Sequence, residues 1–499
     1  MKRRRFVQAG LAAAVSAALP SRLFAADAHR RVSLPSELQS VALNGGETTL
    51  TKAMLKELRD SLRGELLLEG SDGYDTSRKI WNGMWDKHPA LIARCAGPAD
   101  VRNAVDFARD HNLLLAVRSG GHSIAGKSML DGGMVIDLTA MNGVRVDPRA
   151  QTARVEGGAL LNALDEEAQA FGLATTAGTV SHTGAAGLTL GGGMGRLARL
   201  HGLACDNLLS VDLITADGQF VRASAEENPD LLWGLRGGGG NFGIATSFEY
   251  RLHKVGPQVL AGAMMHRLDQ APEALRFFAD YARTAPPELT LAGVLLNPPG
   301  ASRGMLLLSA CWIGDFKQAD RALQPLRNYG KPIADTIKPV DYVELQKSAD
   351  RQLPHGMNYY LKSGYIPDIN ESLVNDLTER FTPDPNRSGV AIFNQQGGRI
   401  AEISPSATAY SHRSERYDLI AGSSWTDPAH TEANVAWGRE IWKTMEPHSS
   451  GFYTNSMMEE SEQRIRNNWG DNYDQLVALK SKYDPDNLFR LNANVKPSA

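Results

Sequence analysis

The residues whose types and spacing could do chemistry concentrate first in Arg118-Ser119-Gly120-Gly121-His122-Ser123. A serine followed by two glycines lets the backbone turn tightly and lets a ligand approach the main chain. Successive N–H groups then face one side and form a nest for anionic oxygens, above all a pyrophosphate. His122 stands at the end of such a cofactor-sized site. Taken alone, it could do no more than hydrogen-bond a phosphate.

Two further glycine clusters follow, Gly191-Gly192-Gly193-Met194-Gly195 and Gly237-Gly238-Gly239-Gly240-Asn241-Phe242-Gly243. The first invites a dinucleotide-binding reading, because Asp212 lies about twenty residues on, where a ribose-binding acid belongs. A Rossmann loop should follow a strand, however. Gly184 to Leu190 carries two glycines and two alanines in place of a β-branched run, and the segment after Arg196 breaks at Gly202. Tight loop packing would explain either cluster by itself. Three clusters, one of them holding a histidine, favour a backbone-lined groove around a large planar, phosphate-bearing cofactor.

The elements that must position these loops are short and alternate in type. Ala90 to Cys95 reads as a strand, and Pro98-Ala99-Asp100 opens a helix with Val101, Ala104, Val105 and Ala108 on one face. Leu113 to Val117 is the next strand, and the first glycine nest closes it. Met134 to Leu138 is another strand. Val144–Asp147 and Ala153–Glu156 alternate with period two and read as a hairpin. Leu161, Leu164, Ala168 and Phe171 suit a short helix, and 211–215 and 243–252 supply more strands. Beyond about 258 glycine thins out. Strand-like runs such as 305–310 then alternate with helical ones such as 272–284, which reads as a second α+β domain. A last helical stretch ends at Tyr483-Asp484-Pro485.

The beginning of the chain predicts export. Lys2-Arg3-Arg4-Arg5-Phe6 is a basic segment with a twin arginine, followed by an apolar run to Leu19 and small residues at Ala25, Ala26 and Ala28. Residues 1–28 read as a signal peptide, and the run is too short for a membrane span. The twin arginine predicts the Tat export machinery as a partner and a periplasmic or secreted location. The whole chain carries a formal charge of −3, and removing residues 1–28 takes away five basic residues and one acidic, leaving about −7. No nucleic-acid partner and no membrane insertion are expected. The three cysteines, Cys95, Cys205 and Cys311, show no metal or disulfide spacing and read as small buried hydrophobes. The histidines are scattered, so no metal site is expected.

With those segments in hand, the chain resembles the vanillyl-alcohol-oxidase and p-cresol-methylhydroxylase (PCMH) type flavoproteins, in the berberine-bridge-enzyme-like branch. The matching segments run in order: Trp81-Asn82-Gly83-Met84 with Pro89 to Ile92, Arg118 to His122, Gly178-Thr179-Val180-Ser181-His182 through Gly195, Asp206-Asn207-Leu208-Leu209, Leu235 to Gly243, and Tyr483-Asp484-Pro485. The match is weakest between about 258 and 390. The resemblance implies an α+β fold: a two-part FAD-binding domain of the PCMH type, residues 29–257 completed by a return segment 451–499, with an inserted α+β substrate domain at 258–450. It implies FAD contacts at Arg118, Ser119, Gly120, Gly121, His122, Ser123, Gly178, Thr179, His182, Gly187, Gly192, Gly193, Gly195, Gly243, Ile244, Asn492 and Asn494. It also implies a covalent bond from His122 to the flavin 8α-methyl, for which histidine offers a neutral nucleophilic nitrogen. Many relatives carry a second link through a cysteine two residues after the glycine at Gly178. Val180 stands there, so a single linkage is expected.

A flavin so held takes a hydride, and the protein supplies orientation and a base. In bacterial relatives a tyrosine of a Tyr-x-Asn motif is that base, which here is Tyr453-Thr454-Asn455, with Tyr360 and Tyr417 in reserve. A free phenol has a pKa near 10, so the base needs a neighbour. Lys362 or His412-Arg413 are the candidates. The expected reaction is oxidation of an alcohol or sugar hemiacetal, with O2 reduced to H2O2. Another electron acceptor, oxidative cyclisation of a secondary metabolite, or a flavin-containing binding protein are the alternatives.

Overall fold

A computed structural model describes residues 32–498, so the expected signal peptide lies outside the described residues. A four-stranded sheet carries the first glycine loop. Its order is Glu65–Leu67, Leu91–Arg94, Met134–Asp137, Leu115–Arg118. Leu91–Arg94 and Leu115–Arg118 both pair parallel with Met134–Asp137. The two strands joined by the helix Pro98–Asp110 are therefore not neighbours, because the third strand enters between them. All four residues of Met134–Asp137 are buried, as a central parallel strand requires. The helix covers one face with Val101, Ala104, Val105 and Ala108.

The expected hairpin, Val144–Asp147 with Thr152–Glu156, forms the edge of a five-stranded antiparallel sheet. That sheet continues through Ile244–Arg251, Leu208–Ile214 and Phe220–Ser224. Between them, Gly184 to Leu190 forms a short helix, Ala185–Leu190, in place of a strand. The glycine run 191–195 thus leaves the end of a helix, which is not the strand-to-helix turn of a dinucleotide fold.

Residues 258–425 build an eight-stranded sheet whose strand pairs are all antiparallel. The strand Leu289–Asn297 alternates buried and half-buried residues along its whole length. Its inward side chains meet Leu275 and Phe278 of the helix Ala271–Thr284, Leu373 and Leu377 of Glu371–Arg380, and Ile441 and Trp442 of Thr431–Met445. The opposite face turns towards Trp81 through Tyr359, which stacks on it.

After this sheet the chain returns. Phe452, Trp469, Leu476, Ala493 and Val495 share one core with Val155, Val211 and Phe248, while Leu488 and Phe489 join the core around Leu91 and Val105. One buried ion pair anchors the return. Lys480 Nζ lies 2.6 Å from Asp484 Oδ2, with both side chains fully buried. Lys480 also donates to the carbonyls of Asn241 and Phe489, and Asp484 accepts the N–H groups of Leu488 and Phe489. The pair ties the last helix to the third glycine cluster. Lys480→Met strands a buried carboxylate, so denaturant unfolding should show a loss of about 3–5 kcal/mol. Lys480→Met combined with Asp484→Leu should recover part of it.

Candidate active site

At the end of Leu115–Arg118 the backbone turns through Gly121, whose φ of +67° suits glycine, and it meets the second loop at once. A Cβ on Gly120 would stand 2.4 Å from Gly184 N, and one on Gly184 would stand 2.5 Å from Gly120 N. Only two glycines allow main chain to cross main chain this closely. The crossing brings His122 and His182 together, with ring centres 5.1 Å apart.

His122 is held from its other face. Its ring stacks on Trp81 at 4.2 Å and 15°, and Trp81 stacks on Tyr359 at 3.8 Å and 15°. Trp81 is itself fixed, its indole N–H donating to Leu353 O and its carbonyl accepting from Gly356 N. Buried Asn82 satisfies all its polar groups by reaching the carbonyls of Ile124 and Tyr359 and the N–H groups of Tyr359 and Met84. The strand Asn358–Ile366 of the eight-stranded sheet is thus stitched to the loop that carries His122. Burial, reinforced by His182 and His355 nearby, pushes His122 down to about 3, so its imidazole is neutral at physiological pH.

Buried polar atoms without partners gather here. They include Arg118 Nε, Ser119 Oγ, His122 Nε2, both nitrogens of His182, and the side-chain oxygens of Asn492 and Asn494. Native proteins leave few such groups unpaired. Those of Arg118, Ser119, Asn492 and Asn494, all among the expected FAD contacts, mark a surface prepared for a large polar ligand. The C-terminal amides reach the first loop through Lys127, which donates to Asn492 O at 2.6 Å. Ser123 Oγ accepts from Lys127 N. A side chain at Gly187 would meet nothing within 4 Å, whereas Gly178, Gly195 and Gly243 abut Leu188, Ala177 and Ile214. Ile244 is buried in the core, and Thr179 is exposed. The donors and the open backbone fit FAD. Among the described residues no group of acids, histidines or cysteines could hold a metal ion.

A second cluster of side chains closes over Gly192 and Gly193. Both have positive φ, +117° and +85°, which turns consecutive N–H groups outward. The phenol oxygen of Tyr453 accepts from Gly193 N at 3.1 Å, Met194 N at 3.0 Å and Asn455 Nδ2 at 2.8 Å. Asn455 also donates to Leu188 O, which fixes the orientation of its amide. Burial pushes the Tyr453 phenol up to about 12, and the bonds from Met194 N–H and Asn455 oppose that rise. The neighbours expected to stabilise this phenol are engaged elsewhere. Lys362 pairs with Glu460, Arg413 makes a two-pronged pair with Asp206, and His412 binds Glu415 and Asn468. Main-chain amides and Asn455 take their place.

Tyr360 and Tyr417 do not reach this cluster. Tyr360 packs beside Gly438 with Arg439 over its ring, and Tyr417 donates to Ala279 O within the substrate-side core. Sequence reasoning missed Tyr410, Tyr365 and Asp418. A side chain on Gly192 would strike the Tyr410 ring, and Tyr410 Oη lies 2.7 Å from Tyr365 Oη. Asp418 is buried, accepts from Asn394 and leaves Oδ1 unpaired. Its signal was a lone acid in the apolar strand Tyr417–Trp425.

Fold and site define a flavoprotein with a two-part FAD-binding domain. The FAD binding domain family matches residues 89–224, and the family described as berberine and berberine like matches 452–496. An FAD-linked oxidoreductase of Dictyostelium discoideum is 31% identical over 449 residues, covering 89% of this chain and 97% of that protein. The (R)-6-hydroxynicotine oxidase of Paenarthrobacter nicotinovorans is 30% identical over 458 residues, covering 88% and 97%. The crystal structure of 6-hydroxy-D-nicotine oxidase from Arthrobacter nicotinovorans superposes with a TM-score of 0.81 at 28% identity, covering 88% of this chain and 99% of that one. Glucooligosaccharide oxidase from Acremonium strictum, described with a 6-S-cysteinyl, 8α-N1-histidyl FAD, shares the fold with a TM-score of 0.81 at 24% identity, covering 89% and 100%. The chain belongs to the berberine-bridge-enzyme-like FAD-linked oxidoreductases.

Burial pushes Asp165 and Asp418 up to about 7 from an ordinary value of 3.8. The stabilisation of a neutral buried carboxyl is complete below the unfolded pKa and is lost as pH rises through the folded one. Thermal melts should therefore show stability falling from about pH 4 to about pH 7. Asp418→Asn should shrink that fall by up to about 4 kcal/mol.

Proposed function

We propose that this enzyme is an exported oxidase that converts an alcohol or sugar hemiacetal to the carbonyl or lactone, with FAD bound covalently through His122 alone and O2 reduced to H2O2. The observation that carries the reading is the phenol oxygen of Tyr453, held by three N–H donors. Burial raises this phenol, and the three donors oppose that rise by stabilising the phenolate form. Tyr453 is thus poised to take the hydroxyl proton as the C–H bond breaks. FAD, when bound, accepts the hydride. Tyr410 packs against the same turn and is hydrogen-bonded to Tyr365.

Support for the linkage comes from a neutral imidazole with an unpaired nitrogen in a prepared cradle. Single linkage follows from Val180, which has no sulfur, and from Cys205, a buried thiol that desolvation pushes up and makes inert. The names of the relatives, a hydroxynicotine oxidase and an oligosaccharide oxidase, support oxidase chemistry on small molecules. The twin-arginine segment supports export, and cell fractionation should find the protein outside the cytoplasm.

Acid precipitation should leave flavin on the parent and release it from His122→Ala; complete release from the parent would refute the linkage. Tyr453→Phe should slow flavin reduction by roughly 10²–10⁴-fold, and a change of only a few-fold moves the base elsewhere. Stopped-flow mixing of reduced enzyme with O2 should show fast reoxidation. Sluggish reoxidation assigns a different acceptor, such as a quinone.

A further inference from the structure

We propose that His182 and His355 form a proton relay that carries away the proton His122 loses when it bonds to the flavin. This deepens the covalent-flavin reading and rests on it.

The three rings form a bent file, with His355 turned back to within 6.4 Å of His122 at 86°. His122 and His182 lie 5.1 Å apart between centres at 33°, and His182 and His355 lie 4.7 Å apart at 52°. Such spacings let ring nitrogens meet when an imidazole turns about its last torsion. Both nitrogens of His182 are buried without a partner, and so is His122 Nε2. A histidine fixed by a backbone carbonyl is locked in one tautomer, whereas His182 is free to accept on one nitrogen and release from the other. His355 is exposed and opens the file to solvent.

The scaffold holds both ends of the file. Ser181, next to His182, gives its N–H and its hydroxyl to the two oxygens of Asp350. Gly356, next to His355, donates to the Trp81 carbonyl, and Trp81 carries the His122 ring. The two loops and the segment 350–357 are therefore tied together by hydrogen bonds.

The chemistry demands such an exit. When a His122 nitrogen bonds to the 8α carbon, that methyl gives up one hydrogen as a proton and His122 gives up its N–H proton. The two electrons and two protons end on dioxygen as H2O2, so the step balances. Burial opposes a charged imidazolium at position 122, so the His122 proton has to leave as the bond forms.

The test follows the tryptic peptide containing residue 122 by mass, over time in air, on freshly purified full-length protein. Among molecules that retain FAD, His182→Ala should gain the flavin mass at least tenfold more slowly than the parent, within the usual reach of a general base. His355→Ala should be several-fold slower. Added imidazole should restore much of the rate in both, which a packing role would not allow. Parent-like rates in both variants overturn the relay. So does slow linkage that imidazole does not move, or loss of all FAD from His182→Ala with a parent-like rate in His355→Ala. A parent carrying no linked flavin overturns the covalent reading, and the relay falls with it.

Discussion

Two bare stretches of main chain touch at Gly120 and Gly184, and much of the molecule follows from that contact. Any side chain at either position would drive the first and second loops apart. Kept together, they place His122 against His182 on one side and against Trp81 on the other. Polar atoms that would be costly orphans in an ordinary core line the same place. The cost is acceptable where a ligand completes the hydrogen bonds.

Two contrasting electrostatic strategies operate on either side of this crossing. At His122 the protein removes water and supplies no counter-charge, which keeps the imidazole neutral. At Tyr453 burial also opposes charge, but three N–H dipoles converge on the phenol oxygen. The first arrangement keeps an imidazole neutral, and the second offsets part of the cost of charge on a phenol oxygen. Neither uses a cationic side chain, since the nearby lysine and arginine are occupied by Glu460 and Asp206.

The eight-stranded sheet contributes more than a wall. Through Asn82 it is hydrogen-bonded into the first glycine loop, and through Asp350 into the second. Tyr365 enters from its strand Asn358–Ile366, and Asp418 from the neighbouring Tyr417–Trp425. The side chains around the glycine loops are therefore shared between the two halves of the fold.

The sequence by itself determined the elements whose cause is local. Pro98 opens its helix, the period-two run at 144–156 is a hairpin, and the glycine loops turn through positive φ at Gly121, Gly192 and Gly237. The flavoprotein family was legible for the same reason, because its motifs are short and contiguous. Tertiary structure decided which strand sits between Leu91–Arg94 and Leu115–Arg118, since pairing between distant segments depends on burial and not on order along the chain. It also decided which of several tyrosines meets Gly192, and that main-chain amides surround Tyr453 where Lys362 was expected. Those are distances between residues as many as 260 positions apart, and no local pattern encodes them. The histidine file is the same case, for nothing near residue 182 announces residue 355.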